Sequence, residues 1–303
     1  MSSDKTIQAG AFKEAGASAE KPSNALRHAG RSLRLAGAKA YGAGRRLLAV
    51  ILFFALWEAS SRLRLINPIF FPPISKIIAS LWKELLIYAP TAGMNGSQRG
   101  LLYNLAFSLK RSLTGYFLGL AVAIPLGVAV GWFRKFERFI DPLIQMFRNI
   151  STLALMPVFI MLLGIGEMSR TGIIFWGVLW VNLMNTISGV KNVDAQLVKA
   201  ATAMGMPKWQ LFLKIVVPGA LPSIFVGVRI SATTSIMILT GAEMIGATEG
   251  LGWSVRHFQT YMMYSEMYAY IIVMTLLGIM INYSLAALER HVFRYREKIG
   301  AAG

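Results

Sequence analysis

Apolar residues in this chain come in long runs joined by short polar links, and the runs have the length of membrane crossings. They cover 46–60 (reaching Leu65 if tilted), 113–132, 140–164, 171–190, 222–245 and 268–288; a helix needs roughly 20 residues to span a bilayer. Six crossings place both ends of the chain on one side. The predicted fold is an all-α membrane protein with six transmembrane helices within 46–292. A basic, mostly disordered tail over 1–45 precedes them, and a short tail over 293–303 follows. Between the first two runs, Asn67-Pro68 and Phe71-Pro72-Pro73 break the chain. Ser75 then caps an amphipathic helix over 76–87 with Ile77, Ile78, Leu81, Leu85 and Leu86 on one face, predicted to lie on the membrane surface. Pro125 sits inside the second run and predicts a kink there.

One polar stretch interrupts this pattern, VDAQLVKAATAMGMPKWQLFLKIVVPGALP over 193–222. Asp194 suits an N-cap, and 195–204 suits a short helix. Gly205 stands where a left-handed residue closes a helix. Pro207 opens a second helix at its first turn. The expectation is a helix–turn–helix elbow with a small-residue face at Ala200 and Ala201. An ordinary amphipathic loop between two crossings is the alternative.

The spacing Ala200, Ala201, Gly205, Ile215, Pro218 resembles the EAA loop of ABC-transporter permeases, with Lys199 where Glu is usual and Val217 where Leu is usual. Three further stretches resemble the nitrate/sulfonate/taurine branch of those permeases. They are FPPISKIIASLWKELL, RNISTLALMPVFIMLLGIGEMSR (where Pro is usual near Ser151 and Thr152), and GVRI with AEMIGATEGLGWSV. The resemblance covers about 50 to 290. It implies a type I ABC importer (MetI-like) bundle in a bacterial inner membrane, with both termini cytoplasmic. It also implies a cytosolic ABC ATPase seated on the elbow through Lys199, Ala200, Ala201, Gly205, Met206, Pro207, Lys208 and Trp209. A periplasmic or lipid-anchored binding protein and a second permease copy, forming a homodimer, are the other implied partners, within membrane lipids. The implied cargo is a small anion such as a sulfonate, taurine or nitrate; a thiamine-pyrimidine or another small organic compound is the alternative.

Composition agrees with a membrane protein. Of 303 residues, 55% are hydrophobic and 15% charged, against roughly 25% charged in soluble domains; mean hydropathy is +0.54. The net charge of +17 would suit nucleic acid, but the basic residues sit between apolar runs, where headgroups and topology account for them. Basic residues at both tails and over 134–138 point to the cytoplasm. Those at 62, 64, 76, 83, 99, 110 and 111 leave the first hairpin ambiguous. There are no cysteines, and His28, His257 and His291 lack metal-ligand spacing. No G-x-x-x-x-G-K-[ST] occurs, so ATP chemistry belongs to another polypeptide. No catalytic grouping and no cofactor of its own are expected. An ion-coupled secondary transporter would carry carboxylates deep in its crossings; Glu58 and Glu243 lie near ends.

Polar groups inside crossings are expensive. Asn149, Ser151 and Thr152 fall in the third run, Asn182 and Asn185 share a face of the fourth, and Ser231, Thr233, Thr234, Ser235 and Thr240 populate the fifth. Asn149, Ser151, Thr152, Asn182, Asn185, Ser235 and Glu243 are the candidates for a hydrated path. Interhelical hydrogen bonds, worth about 0.6 kcal/mol each, are the other reading. Met156 and Phe159, with Met161, are candidates for an apolar gate or for plain packing. Arg229 is expected to snorkel toward the inner surface.

Overall fold

The computed structural model describes residues 48–49, 51–65, 67–86 and 100–292. The expected tails over 1–45 and 293–303 therefore lie outside the described residues. The chain divides into two units, 1–68 and 69–303.

In the first unit, residues 51–62 form helix α1. It is apolar on most sides, with Ile51, Leu52, Phe53, Phe54 and Leu56 exposed. Glu58, flagged by its charge, bonds Arg62 one turn on at 2.7 Å.

Every regular element among the described residues of the second unit is a helix. Its elements are α2 (Ile74–Leu86), α3 (Gly100–Trp132), α4 (Arg134–Arg148), α5 (Met156–Leu163) and α6 (Glu167–Lys191). Then come α7 (Ala195–Ala203), α8 (Lys208–Leu211), α9 (Val217–Gly246), α10 (Leu251–Thr260) and α11 (Tyr264–Val292). Among the described residues, α3, α6, α11 and the α8–α9 rod are each long and apolar enough to cross a membrane.

The core is built on α6. A small residue recurs every fourth position of α3, at Gly115, Gly119, Ala123, Gly127 and Gly131. A methyl group added at Gly115 would sit 2.8 Å from Ile174 Cβ; at Gly119, 2.7 Å from Val178; at Gly127, 2.6 Å from Thr186; at Gly131, 2.8 Å from Val190. The two helices therefore touch backbone to side chain in one unbroken register, as small residues allow in membranes. Both sequences advance together, so α3 and α6 run parallel. From Gly115 to Gly131 the seam rises about 24 Å at 1.5 Å per residue. On its other side, α6 packs antiparallel to α9: Gly189 meets Ser223, Gly227 meets Asn185, and Gly177 meets Ile238. Helix α11 runs antiparallel to α9, tied by Arg229 to Glu289 at 2.8 Å and by Thr240 to the Met274 sulfur at 3.5 Å. Arg229, expected to snorkel, is thus held in an ion pair.

Because α3 and α6 are parallel, the chain between them must climb back along the seam. It does so in pieces, which corrects the continuous third crossing expected over 140–164. Helix α4 begins at Arg134, α5 follows after a one-turn 3-10 segment (Leu153–Leu155), and the two meet at 83°. Asn149 caps the end of α4, and Thr152 precedes the 3-10 turn. With the broken pair counted as one span, the described residues hold up to five crossings. The first run, 46–60, is described at 48–49 and from 51 onward, where it forms α1.

Other boundaries shift as well. The second crossing starts at Gly100 rather than 113, and the fifth joins the elbow without a break, through α8 and a π turn (Phe212–Val216). The π turn falls just before Pro218, whose ring crowds the carbonyl four residues back and which offers no N–H. The stretch between the last two apolar runs contains α10, which buries Leu251, Val255 and Phe258. Helix α2 uses part of the apolar face expected of it: Ile77 is buried and Leu81 and Leu85 pack on the core. It turns Ile77, Ser80 and Glu84 inward and leaves Ile78, Trp82 and Leu86 exposed. Glu84 accepts a hydrogen bond from Tyr270 at 3.0 Å, and Ser80 donates to Glu266 at 3.4 Å.

Candidate functional site: an elbow and a broken span

At one end of the bundle the elbow forms as the residues dictate. Asp194 caps α7, its carboxylate accepting from the Gln196 N–H at 2.7 Å. The far end closes with Gly205 at φ +78. The Gly205 N–H bonds the Thr202 carbonyl at 3.0 Å and the Met206 N–H bonds the Ala201 carbonyl at 3.1 Å, the paired closure that requires a left-handed residue. Pro207 is extended, with ψ 150, and stands just ahead of α8 as its N-cap rather than inside its first turn. Ala201 is buried, while Lys199, Ala200, Pro207 and Lys208 are exposed and Met206 is half-buried. The surface is apolar where a polar link should not be: Leu197 is 57% exposed, Met204 78% and Trp209 69%. Phe212 stacks beneath Trp209 and touches Trp132 at the end of α3, ring centroids 6.0 and 5.2 Å away.

The opposite end is closed by an ionic cluster. Arg111, 2% exposed, donates to Glu243 at 2.6 Å, to Glu167 through two nitrogens at 2.5 Å each, and to the Glu249 carbonyl at 3.0 Å. Glu243, fully enclosed, also accepts from Ser108 at 2.8 Å and from the Gly252 N–H at 2.8 Å. Arg170 reaches Glu167 at 3.0 Å and the Gly246 carbonyl. Asn104 and Ser108 accept from the Gly250 and Leu251 N–H groups at 2.9 and 2.8 Å. Gly250 has φ +117, and a side chain there would run into Glu243. The cluster fastens the link between α9 and α10 to α3 and α6.

Between these ends the candidates for a path separate into enclosed and open groups. Asn182 is 0% exposed; its amide donates to the Val178 carbonyl at 3.0 Å, and its Oδ1 has no partner among the described residues. Asn185 is half-buried, donating to the Val181 carbonyl at 2.8 Å, and both Asn face Gly227 of α9. Ser235 is buried against Ser112 at 3.2 Å. In this conformation Ser235 and Glu243 bond across helices, whereas Asn182 and Asn185 bond back to their own helix and pack on α9. Met156 is 1% exposed, and Phe159 packs on Gly172 and Trp176. The break of the third crossing is open: Asn149 and Ser151 are exposed and Thr152 half-exposed, beside Gly177 at the middle of α6.

Helix α4 leads to this break and shows three faces. Ile140, Ile144 and Phe147 pack on α6, with Phe147 against Trp176 and Trp180 at 5.7 and 6.0 Å. Phe136, Phe139, Leu143 and Met146 form an exposed apolar face. On the third face Arg134, Arg138, Asp141, Gln145 and Arg148 recur at three- and four-residue steps; the four charged ones are exposed. Arg134, Glu137, Arg138, Asp141 and Pro142 line a recess there, and Lys191 of α6 bonds Glu137. Arg148, absent from the candidates above, is exposed and has no partner among the described residues. An arginine at the centre of a lipid-facing helix costs about 2.5–3.5 kcal/mol on insertion scales. Counting the charged residues of 134–148 by helical turns would have found this face in the sequence.

Known proteins agree with this architecture. Over 81% of its length the chain is 31% identical to the taurine transport system permease protein of Escherichia coli K12, covering 86% of that protein. It is 27% identical to the putative aliphatic sulfonates transport permease protein of Bacillus subtilis, over 86% of this chain and 90% of that one. It is also 27% identical to the bicarbonate transport system permease protein of Synechococcus elongatus, over 82% and 87% respectively. In three dimensions it is similar to the inward-facing MetNI methionine ABC transporter, at a TM-score of 0.57 and 21% identity, over 63% of this chain and 95% of that one. Residues 115–295 match the family described as binding-protein-dependent transport system inner membrane component, and they take in the α3–α6 seam, the broken crossing, the elbow and, from the ionic cluster, Glu167, Arg170 and Glu243 but not Arg111. A helical bundle with an exposed, glycine-closed elbow and no ATP-binding loop of its own is what a transport subunit driven from outside requires: the chain belongs to this family, as a permease subunit of an ABC importer of the taurine/sulfonate/bicarbonate branch.

Proposed function

We propose that this permease carries a small anion of the sulfonate, taurine, nitrate or bicarbonate kind inward, and that the elbow is the handle by which a cytosolic ATPase moves it. The observation that carries the proposal is the elbow surface itself. Leu197, Met204 and Trp209 stand exposed on a rigid, capped helical turn at one end of the bundle. Exposed apolar groups on a structured link are what a docking partner covers. Lys199, Ala200, Ala201, Gly205, Met206, Pro207 and Lys208 give this surface its shape and charge. The elbow end then faces the cytoplasm of a bacterial inner membrane, as do both termini. The end carrying α10 and the ionic cluster faces outward, toward the binding protein that delivers cargo.

A second copy of the chain would complete the path. Asn149, Ser151 and Thr152 would line it at mid-depth, with Asn182, Asn185, Ser235 and Glu243 entering it only if the helices separate. Met156 and Phe159 would gate it on the same condition. ATP binding would draw the elbows together and rock the crossings as rigid bodies.

Gly205→Asp tests the handle. Open space surrounds Gly205, so nothing clashes, but φ +78 strains any other residue. The variant should insert normally, lose the ATPase on co-purification, and lose uptake. Normal uptake by Gly205→Asp would refute the docking role.

A further inference from the structure

We propose that Arg148 is the residue that recognises the negative charge of the cargo at mid-membrane. This rests on the reading of the broken crossing as part of a path. Phe147 packs between Trp176 and Trp180, at the middle of α6, and Thr152 lies against Gly177. Arg148 therefore sits halfway along the bundle, far from either headgroup layer.

Its direction comes next. On α4 the packed face and the exposed apolar face are accounted for by α6 and by lipid. The remaining face carries Arg134, Arg138, Asp141, Gln145 and Arg148. Charges at this depth face a hydrated space or a counter-ion rather than hydrocarbon.

Last comes pairing. Asp141 accepts from Gln145 at 3.5 Å, two turns below Arg148, and Gln145 in turn binds Asn149 through its carbonyl at 2.7 Å. No carboxylate among the described residues reaches Arg148, whereas Arg111 and Arg170 are both paired with glutamate. The guanidinium is left as an open fork beside two exposed polar side chains, Asn149 and Ser151. A planar fork with neighbouring amide and hydroxyl donors fits a sulfonate, carboxylate, bicarbonate or nitrate oxygen pair. A neutral heterocycle gives the fork nothing to pair with.

The lack of cysteine in the chain makes a direct test practicable. A single Ser151→Cys is introduced into the complete complex in liposomes, and its reaction with an anionic and a cationic methanethiosulfonate is timed. The anionic reagent should react faster. Arg148→Gln should cut the anionic-to-cationic rate ratio by about tenfold, the order expected for local charge focusing, and Arg148→Lys should keep most of it. Leu143→Cys, on the apolar face, should stay unlabelled. An unreactive Ser151→Cys, or a ratio indifferent to Arg148→Gln, would overturn the proposal. Uptake of taurine, ethanesulfonate and bicarbonate gives the second readout: Arg148→Gln should lower uptake of whichever is carried, with partial recovery in Arg148→Lys and the ATPase still co-purifying. Full uptake by Arg148→Gln would overturn it too. The labelling needs no ATP. A preference that survives in Gly205→Asp while uptake is normal there would refute the elbow's role and leave Arg148 standing.

Discussion

Arg111 and Arg148 are both arginines inside crossings, and their surroundings give them opposite work. Arg111 is enclosed and paired with Glu243 and Glu167; Arg148 is open and unpaired. Removing one partner of a buried pair strands the other charge, at about 3–5 kcal/mol. Arg111→Ala should therefore lower the melting temperature of the detergent-solubilised protein sharply. Adding Glu243→Gln should recover part of the loss, since a neutral amide still accepts from the Gly252 N–H and carries no charge to strand. No recovery in the double variant would mean that Arg111 acts through Glu167 and the Glu249 carbonyl alone. The sequence made polar residues inside crossings easy to find but not to sort. Glu243, Asn182 and Ser235 are enclosed, while Asn149 and Ser151 are open. That difference is decided by which helix lies opposite, and one-dimensional spacing does not hold it.

Among the elements, the α3–α6 seam makes the firmest expectation about stability. A side chain at Gly119 would strike Val178 at 2.7 Å, whereas Gly278 of α11 has open space around it. Gly119→Leu should destabilise by about 1–3 kcal/mol through overpacking, and Gly278→Ala should stabilise by about 0.5–1 kcal/mol through helix propensity. Thermal unfolding of both variants side by side checks the contrast. Helix α2 adds a pH effect. Burial holds the Glu84 carboxyl above the usual carboxylate range; the Tyr270 hydroxyl opposes this, Glu266 reinforces it and Lys83 opposes it weakly. A raised acid favours the folded state while protonated, so docking of α2 should be firm at low pH and loosen as pH rises through the raised value. Amide protection over 74–86 should fall with pH in the wild type and stay level in Glu84→Gln. A level profile in both would remove Glu84 as the cause. The crossings at α3, α6, α9 and α11 were legible because apolar length alone defines them. The broken third one was not, because its average hydropathy hides a charged face on α4, and an average carries no direction.

At the scale of the whole second unit, the elbow and the ionic cluster are the two ends of one rod. From Lys208 to Gly246 the backbone is helical without interruption, through α8, the π turn and α9. Its lower end carries Trp209, and its upper end carries Glu243, which grips the Gly252 N–H. A push at Trp209 is thus transmitted along a stiff element about 58 Å long at 1.5 Å per residue, lying against α6 for much of its course. The one soft point is the π turn at Phe212–Val216, where hydrogen bonds are already re-spaced ahead of Pro218. The elbow motif was visible in the sequence, but its continuity with α9 was not, because Pro218 stands in the polar stretch and Pro222 opens the fifth apolar run, so that neither reads as a residue inside a rod. If the rod is the lever, two glycines inserted after Leu213 should separate docking from transport. The ATPase should still co-purify, since α7, Gly205 and α8 are untouched, while loaded binding protein should no longer stimulate hydrolysis and uptake should disappear. Two alanines at the same place would keep the helix stiff but turn α8 by about 200° relative to α9 at 100° per residue; the ATPase should still co-purify, and uptake should be lost because the push reaches α9 from the wrong side. Uptake that survived the glycine insertion would show that the elbow moves the bundle through α7 and the end of α6 rather than through α9.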